Sequence, residues 1–179
     1  MNKESALLAY VARLGDNALV LGQRMIELVA AYPELEEELA NANFALDYIG
    51  QARMFYTYAG ELEGKGRGED DFAFLRPEHE YQSLLLVEQP HGHFGDALVR
   101  QFLFEAFYVH LLDALTRCSD EGISIIAPSR NGSLDPLRQP AEVARGYGLA
   151  QGESTPHDPH RAECLELMNR LVPVPLGCR

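Results

Sequence analysis

Carboxylates and histidines at helical spacing are the side chains of this chain that could do chemistry, and the chemistry they suggest is a di-iron centre. In a four-helix bundle such a centre takes a Glu from each of two helices and a Glu-x-x-His pair from each of the other two, because residues three apart share a helix face. Asp16, Glu27, Asp47 and Glu105 each fall within a helical pattern, and Asp16, Gln23 and Glu27 lie along one line at steps of seven and four. The nearest match to the paired motif is Asp47-Tyr48-Ile49-Gly50, and glycine binds no iron. In Glu105-Ala106-Phe107-Tyr108 a tyrosine stands where the histidine is needed, while His110, five residues after Glu105, lies off the required face. If this chain held metal, the candidates would be Asp16, Asp47 and Glu105. The plainer reading is that these carboxylates flank an apolar seam, exposed or paired with Arg24 or Arg53, since charged side chains are seldom buried without a partner.

Other chemistries find little support. His91-Gly92-His93 sets two histidines in a turn without carboxylate or cysteine company, which reads as surface. The run Gly64-Lys65-Gly66-Arg67-Gly68 follows no strand and lacks the Gly-Lys-Ser/Thr ending of a phosphate loop. No Ser/His/Asp arrangement stands at identifiable spacing, so a hydrolase has no foothold. Cys118, Cys164 and Cys178 form no CxxC pair and are expected to be free thiols.

The elements that must position these residues read as helices. From Ser5 to Tyr32 the positions Leu7, Val11, Leu14, Ala18, Leu21, Met25 and Leu28 alternate steps of three and four, the seam of an antiparallel bundle helix, and Pro33 is the expected stop. The acidic run Glu34, Glu36, Glu37, Glu38 suits the N-terminal dipole of a second helix, which is expected to be the antiparallel neighbour of the first. Its predicted seam is Leu35, Leu39, Ala42, Leu46, Ile49, Tyr56 and Ala59, interrupted by Arg53, which is expected to meet one of the candidate carboxylates. The glycine run 64–68 ends that helix; a short apolar run from Leu84 to Val87 then leads into a turn forced by Pro90 and Gly92. A third helix, about Phe94 to Arg117, is apolar on nearly every side through Leu98, Phe102, Leu103, Phe104, Ala106, Phe107, Val109, Leu111 and Leu112. A helix apolar all round must be surrounded, which implies a fourth helix, another subunit, or both.

The chain changes character near residue 126. Residues 1–122 carry 9 basic and 21 acidic side chains and hold the entire net charge of -12, whereas residues 123–179 sum to zero. Seven of the ten prolines lie in that last part and break it into pieces too short for a bundle helix, with Pro159 to Leu171 the one fair helix candidate. With 179 residues the chain suffices for one domain with a real core. Its acidity argues against nucleic acid as a partner, because phosphate binding needs Lys and Arg. No apolar run approaches a membrane span and no signal peptide opens the chain, so a soluble cytoplasmic protein is expected.

Four phrases together carry a family resemblance: RLGDNALVLGQR at 13–24, NFALDYIGQAR at 43–53, ELEGKG with DDFAFLR at 61–76, and SLLLVEQPHGHF at 83–94. They resemble the C subunits of phenylacetyl-CoA 1,2-epoxidase (phenylacetate-CoA oxygenase) complexes, from about Leu7 to Ile126. The resemblance implies an all-α, ferritin-like antiparallel helical bundle that has lost its iron ligands and acts as scaffold for a related catalytic A subunit. It further implies that the di-iron centre, the flavin (FAD or FMN), the iron-sulfur cluster and the NADPH site belong to the A subunit and a reductase subunit. The implied complex epoxidises the aromatic ring of phenylacetyl-CoA in aerobic phenylacetate breakdown. Family members usually carry histidine where this chain has Tyr108, and they continue into a fourth helix with a Lys-Glu then Tyr-His-Leu-Arg phrase.

The expectation is therefore a ferritin-like bundle portion over residues 1–126, incomplete at its C-terminal end, followed by a Pro-, Arg- and Gly-rich tail over 127–179 that is poorly ordered and read out of frame. Translating the other two frames of the gene tests the last point. This chain itself is expected to have no catalytic residue, cofactor or metal, with Arg53, Phe102, Phe104 and Phe107 as interface or structural residues. The rival readings are a di-iron protein using Asp16, Asp47 and Glu105, and a generic helical interaction module.

Overall fold

The computed structural model describes residues 3–29, 35–92 and 94–129. The protein is all-α, in keeping with a ferritin-like bundle, and no strand occurs among the described residues. Its helices are α1 (Lys3–Glu27), α2 (Leu35–Glu63), α3 (Glu69–Phe74), α4 (Leu85–Glu88), α5 (Phe94–Leu115) and α6 (Glu121–Ile126), with 3-10 turns at Glu78–Glu80 and Ala127–Ser129. The described residues form two compact units, one reaching His91 and including Pro128 and Ser129, the other running from Gly92 to Ala127.

The first unit is built on the α1–α2 hairpin. Val11, Leu14, Ala18, Leu21 and Met25 are buried along α1, so its predicted seam is the packed face. Burying each large apolar side chain contributes roughly 1.5–3 kcal/mol. The helix ends at Glu27, short of the expected Tyr32, because the Leu28 and Val29 amides bond back three residues to the carbonyls of Met25 and Ile26. Such bonds tighten and close a last turn. Tyr32 and Pro33, the expected stop, lie outside the described residues.

Helix α2 runs antiparallel to α1: Asp16 meets Tyr56, Gly22 faces Ala45 and Ile49, and the Asn41 amide donates to the Met25 carbonyl at 2.7 Å. The packed face of α2 is Asn41, Ala45, Tyr48, Ala52, Phe55, Tyr56 and Ala59. This corrects the predicted seam, since Leu35, Leu39 and Leu46 are 64%, 58% and 62% exposed. The reason lies in α1. A Cβ placed at Gly22 would stand 3.1 Å from both the Ala45 carbonyl oxygen and Ile49 Cγ1, so the backbones approach too closely for leucines between them. Alanines and aromatic rings fit that gap, and the leucines turn away.

The α2–α3 connection reverses direction through Gly64 and Gly66, both in the left-handed region at φ 66° and 77°, where glycine carries no steric penalty. The returning chain lays the Arg67 carbonyl over Gly60, where a Cβ would be 2.3 Å from it. Helix α3 opens with Glu69, Asp70 and Asp71, and the Gly68 amide donates to Asp71 Oδ2 at 2.7 Å, anchoring its first turn. The apolar run expected from Leu84 to Val87 becomes α4 and its cap, with Leu84 and Val87 buried.

In the second unit, α5 matches the predicted third helix closely but is less uniformly enclosed than expected. Ala97, Arg100, Gln101, Phe104, Glu105, Tyr108, Leu111, Leu112 and Leu115 are buried, whereas Val99 and Phe102 are 48% and 39% exposed. The Phe104 and Tyr108 rings pack 4.9 Å apart. Asp120 caps α6 by accepting the Ile123 amide at 3.0 Å, and Ile123 is buried. Cys118 is a half-buried free thiol. Of the tail predicted over 127–179, Ala127–Ser129 form a 3-10 turn, and the rest, with the helix candidate Pro159 to Leu171 and with Cys164 and Cys178, lies outside the described residues.

Candidate functional site: a buried Asp16 centre

The most densely bonded polar group of the first unit is the Asp16 carboxylate. It sits mid-α1, where every residue from Leu14 to Leu19 is buried, and it is 1% exposed. The Tyr56 hydroxyl donates to Oδ1 at 2.8 Å, and Arg76 Nη2 pairs with the same oxygen. Oδ2 accepts from the Gln82 amide at 2.8 Å and from Arg76 Nη1 at 3.4 Å. Next to it, Asn17 Oδ1 accepts the Leu84 amide at 2.7 Å and Asn17 Nδ2 donates to the Arg13 carbonyl at 3.0 Å. Two consecutive α1 residues therefore hold alternate amides of the extended chain that leads into α4.

Arg76 is held as firmly as its partner. Its Nε donates to the Phe72 carbonyl at 2.7 Å, its Nη1 also reaches the Glu80 carbonyl at 3.4 Å, and its guanidinium lies 4.3 Å from the Tyr81 ring centroid. Burial works against its charge, but the hydrogen bond and the charge of Asp16 outweigh burial and raise its pKa above the ordinary arginine value. Burial raises the Tyr56 hydroxyl well above the usual tyrosine range, and the charge and hydrogen bond of Asp16 add to the rise. The Tyr56 ring reaches this position because residue 15 is glycine: a Cβ there would stand 2.6 Å from Tyr56 Cε1. Beside the ion pair opens a cleft of about 330 Å³ with Leu8, Ala12, Arg13, Phe72 and His79 on its walls.

The chemical meaning lies in the count of donors. A carboxylate offers about four lone-pair positions, and four donors occupy those of Asp16. A metal ion could bind Asp16 only by displacing a buried arginine, and stripping a buried charge of its partner costs several kcal/mol. Asp16 is thus a structural anchor.

Within the first unit, the other candidates Glu27 and Asp47 are not brought to it. Glu27 is half exposed and accepts from Arg24 Nη1 at 3.0 Å, as the pairing reading expected, and it pairs with His91 Nε2 at 2.7 Å. The His91 hydrogen bond, then that of Arg24, lowers its pKa. Asp47 and Gly50 are exposed on α2, off its packed face, where the pairs three apart are Ala45–Tyr48 and Ala52–Phe55. Glu105 is buried on α5 in the other unit. Among the described residues no three His, Cys, Asp or Glu side chains gather in a way that could hold a metal ion. His93 lies outside the described residues.

One expectation is corrected. Arg53 meets none of the candidate carboxylates; it is an exposed side chain 2.5 Å from Glu69 Oε1, because the packed face of α2 is rotated away from it. Of the other residues expected at an interface or in a structural role, Phe104 is 1% exposed, Phe107 half-buried and Phe102 39% exposed. Arg76 and Tyr56, the partners that define the centre, were missed as its parts. The available signal was Asp16 itself, a charge within an unbroken buried run, which requires a buried cation somewhere in the chain.

Comparison with known proteins gives this geometry its family. The phenylacetic acid catabolic protein family matches residues 1–129. A stretch of 149 residues is 49% identical to the C subunit of the 1,2-phenylacetyl-CoA epoxidase of Escherichia coli (strain K12), covering 83% of this chain and 58% of that protein. The chain thus spans less than two thirds of the length of the relative it matches.

Proposed function

Because the chain belongs to the phenylacetic acid catabolic protein family, we propose that it serves as the non-catalytic, structural subunit of a multicomponent di-iron monooxygenase that epoxidises the ring of phenylacetyl-CoA. On this reading the catalytic A subunit holds the iron and the acyl-CoA, and a reductase subunit delivers NADPH electrons through flavin and an iron-sulfur cluster. The complex works in the cytoplasm; no helix among the described residues is long and apolar enough to cross a membrane. One observation supports the structural role above the others: Asp16, the candidate ligand buried in the hairpin, is saturated by Tyr56, Arg76 and the Gln82 amide. A candidate ligand taken up by an ion pair suits a bundle that keeps its shape without metal.

Co-expression with the catalytic subunit, assayed with the reductase subunit and NADPH supplied, tests the proposal. The expected result is a stable complex that oxidises the ring, with the purified chain alone taking up far less than one equivalent of iron. Near-stoichiometric iron in the isolated chain would overturn it in favour of a di-iron protein. Failure to associate would overturn the structural-subunit reading and favour a helical interaction module.

A further inference from the structure

The leucines that α2 turns away from α1 form a second, uncovered stripe. Leu35, Leu39, Ala42 and Leu46 follow steps of four and three, the spacing of a helix-packing seam, and the three leucines are more than half exposed; the half-buried Ile49, which packs over Gly22 of α1, closes the end of the stripe on the α1 side. At 1.5 Å per residue the stripe is about 21 Å long, the length of a partner helix of four turns. Gly50 lies beside it. Glycine is among the poorest helix formers, yet a Cβ added here would meet nothing within 4 Å, so packing among the described residues does not require it. Leu46, Ile49, Gly50 and Arg53 stand at i, i+3, i+4 and i+7, the four corners of a hole that receives a knob from a facing helix. With glycine at one corner the hole is deep.

The stripe is edged by acidic side chains: Glu36 and Asp47 on one side and Glu38 on the other, with Glu36 and Asp47 exposed. In a self-pair of α2 helices these like charges would face one another, which disfavours a second copy as the occupant. A helix with an apolar stripe between basic residues fits both features.

Resting on the reading that this chain is a structural subunit, we propose that the stripe from Leu35 to Ile49 is the docking surface for such a basic-edged amphipathic helix of the catalytic subunit, which seats a large apolar side chain against Gly50. The Asp47-to-Gly50 segment then marks a protein-binding hole on the outer face of α2.

Full-length variants co-expressed with the catalytic subunit provide the test, read by co-purification and by thermal melting of the chain alone. Leu46→Arg and Gly50→Leu are expected to reduce the complex at least tenfold while leaving the isolated chain's melting temperature within a few degrees. Leu75→Arg, on a different and equally exposed surface, is the control and should assemble normally. If the wild type assembles and both stripe variants do too, the docking surface is wrong while the structural role stands; if the wild type does not assemble, the structural role itself fails. A wild-type chain that dimerises alone and becomes monomeric on Leu46→Arg would make the occupant a second copy and overturn the proposal. A large drop in melting temperature for Leu46→Arg would show the stripe covered by this chain itself and overturn it equally.

Discussion

Arg76 lies with its guanidinium on the carboxylate of Asp16, sixty residues earlier in the chain, and the two side chains are 5% and 1% exposed. The pair ties the segment after α3 to the middle of α1, and every oxygen position of Asp16 is used. Its value to stability is therefore asymmetric: the intact pair has already met the cost of desolvation, while either partner alone is an unpaired buried charge.

Removing Arg76 is expected to be severe. Arg76→Ala should destabilise the chain by about 3–5 kcal/mol, the usual cost of leaving a buried charge without its partner. The double variant Asp16→Asn with Arg76→Met should lose less than the sum of the two single changes, because it removes both charges. Urea denaturation of the four proteins measures this coupling, and strict additivity would show that the pair does not act as a unit.

Gly15 is expected to tolerate no side chain. Gly15→Ala sets a methyl 2.6 Å from Tyr56 Cε1, so the ring must leave Asp16, at about 1–3 kcal/mol for overpacking and distortion. In that background Tyr56→Phe should have little further effect, whereas in the wild type it should cost about 1 kcal/mol for the lost hydrogen bond. Equal Tyr56→Phe effects in both backgrounds would refute the link.

Tyr56 predicts an alkaline limb. Its folded pKa is raised, first by burial and then by Asp16, so its neutral form is favoured in the native state. The associated stability is complete below the unfolded tyrosine pKa of about 10 and is lost as pH rises beyond it toward the folded value. Thermal melts through that range should fall more steeply for the wild type than for Tyr56→Phe; parallel slopes would count against it.

Glu63 predicts the opposite limb. Arg67 donates to it through Nε at 2.6 Å and Nη2 at 2.7 Å, and that hydrogen bonding, with Lys65 assisting, lowers its pKa below the ordinary glutamate value. A lowered acid contributes stability above its unfolded pKa and loses it as pH falls through the folded one. The stability difference between wild type and Glu63→Gln should therefore be constant near neutrality and shrink below about pH 4.3. A difference that persists unchanged into strong acid would show that the pair does not form in solution.

Much of the fold was legible because helical periodicity is local. The α1 seam from Val11 to Met25 could be read directly, as could the end of α2 at the glycine run and the extent of α5. The α2 seam was misread because that helix carries two apolar stripes, and spacing alone does not say which one faces α1. The choice rests with Gly15 and Gly22, whose close approach admits Ala45 and the aromatic rings and expels Leu39 and Leu46. That contact joins residues far apart in sequence.

The candidate site divides in the same way. From the sequence alone follow the helical class, the family resemblance carried by its phrases, and the missing histidine after Asp47, since these depend on residue identity and short-range spacing. Tertiary structure alone decided that Asp16 is spent on Arg76, Tyr56 and the Gln82 amide, that Glu27 belongs to Arg24 and His91, and that Arg53 belongs to Glu69. The physical reason is that a carboxylate's role is set by which donors reach its lone pairs, and those donors arrive from segments that only the folded chain brings within hydrogen-bonding distance.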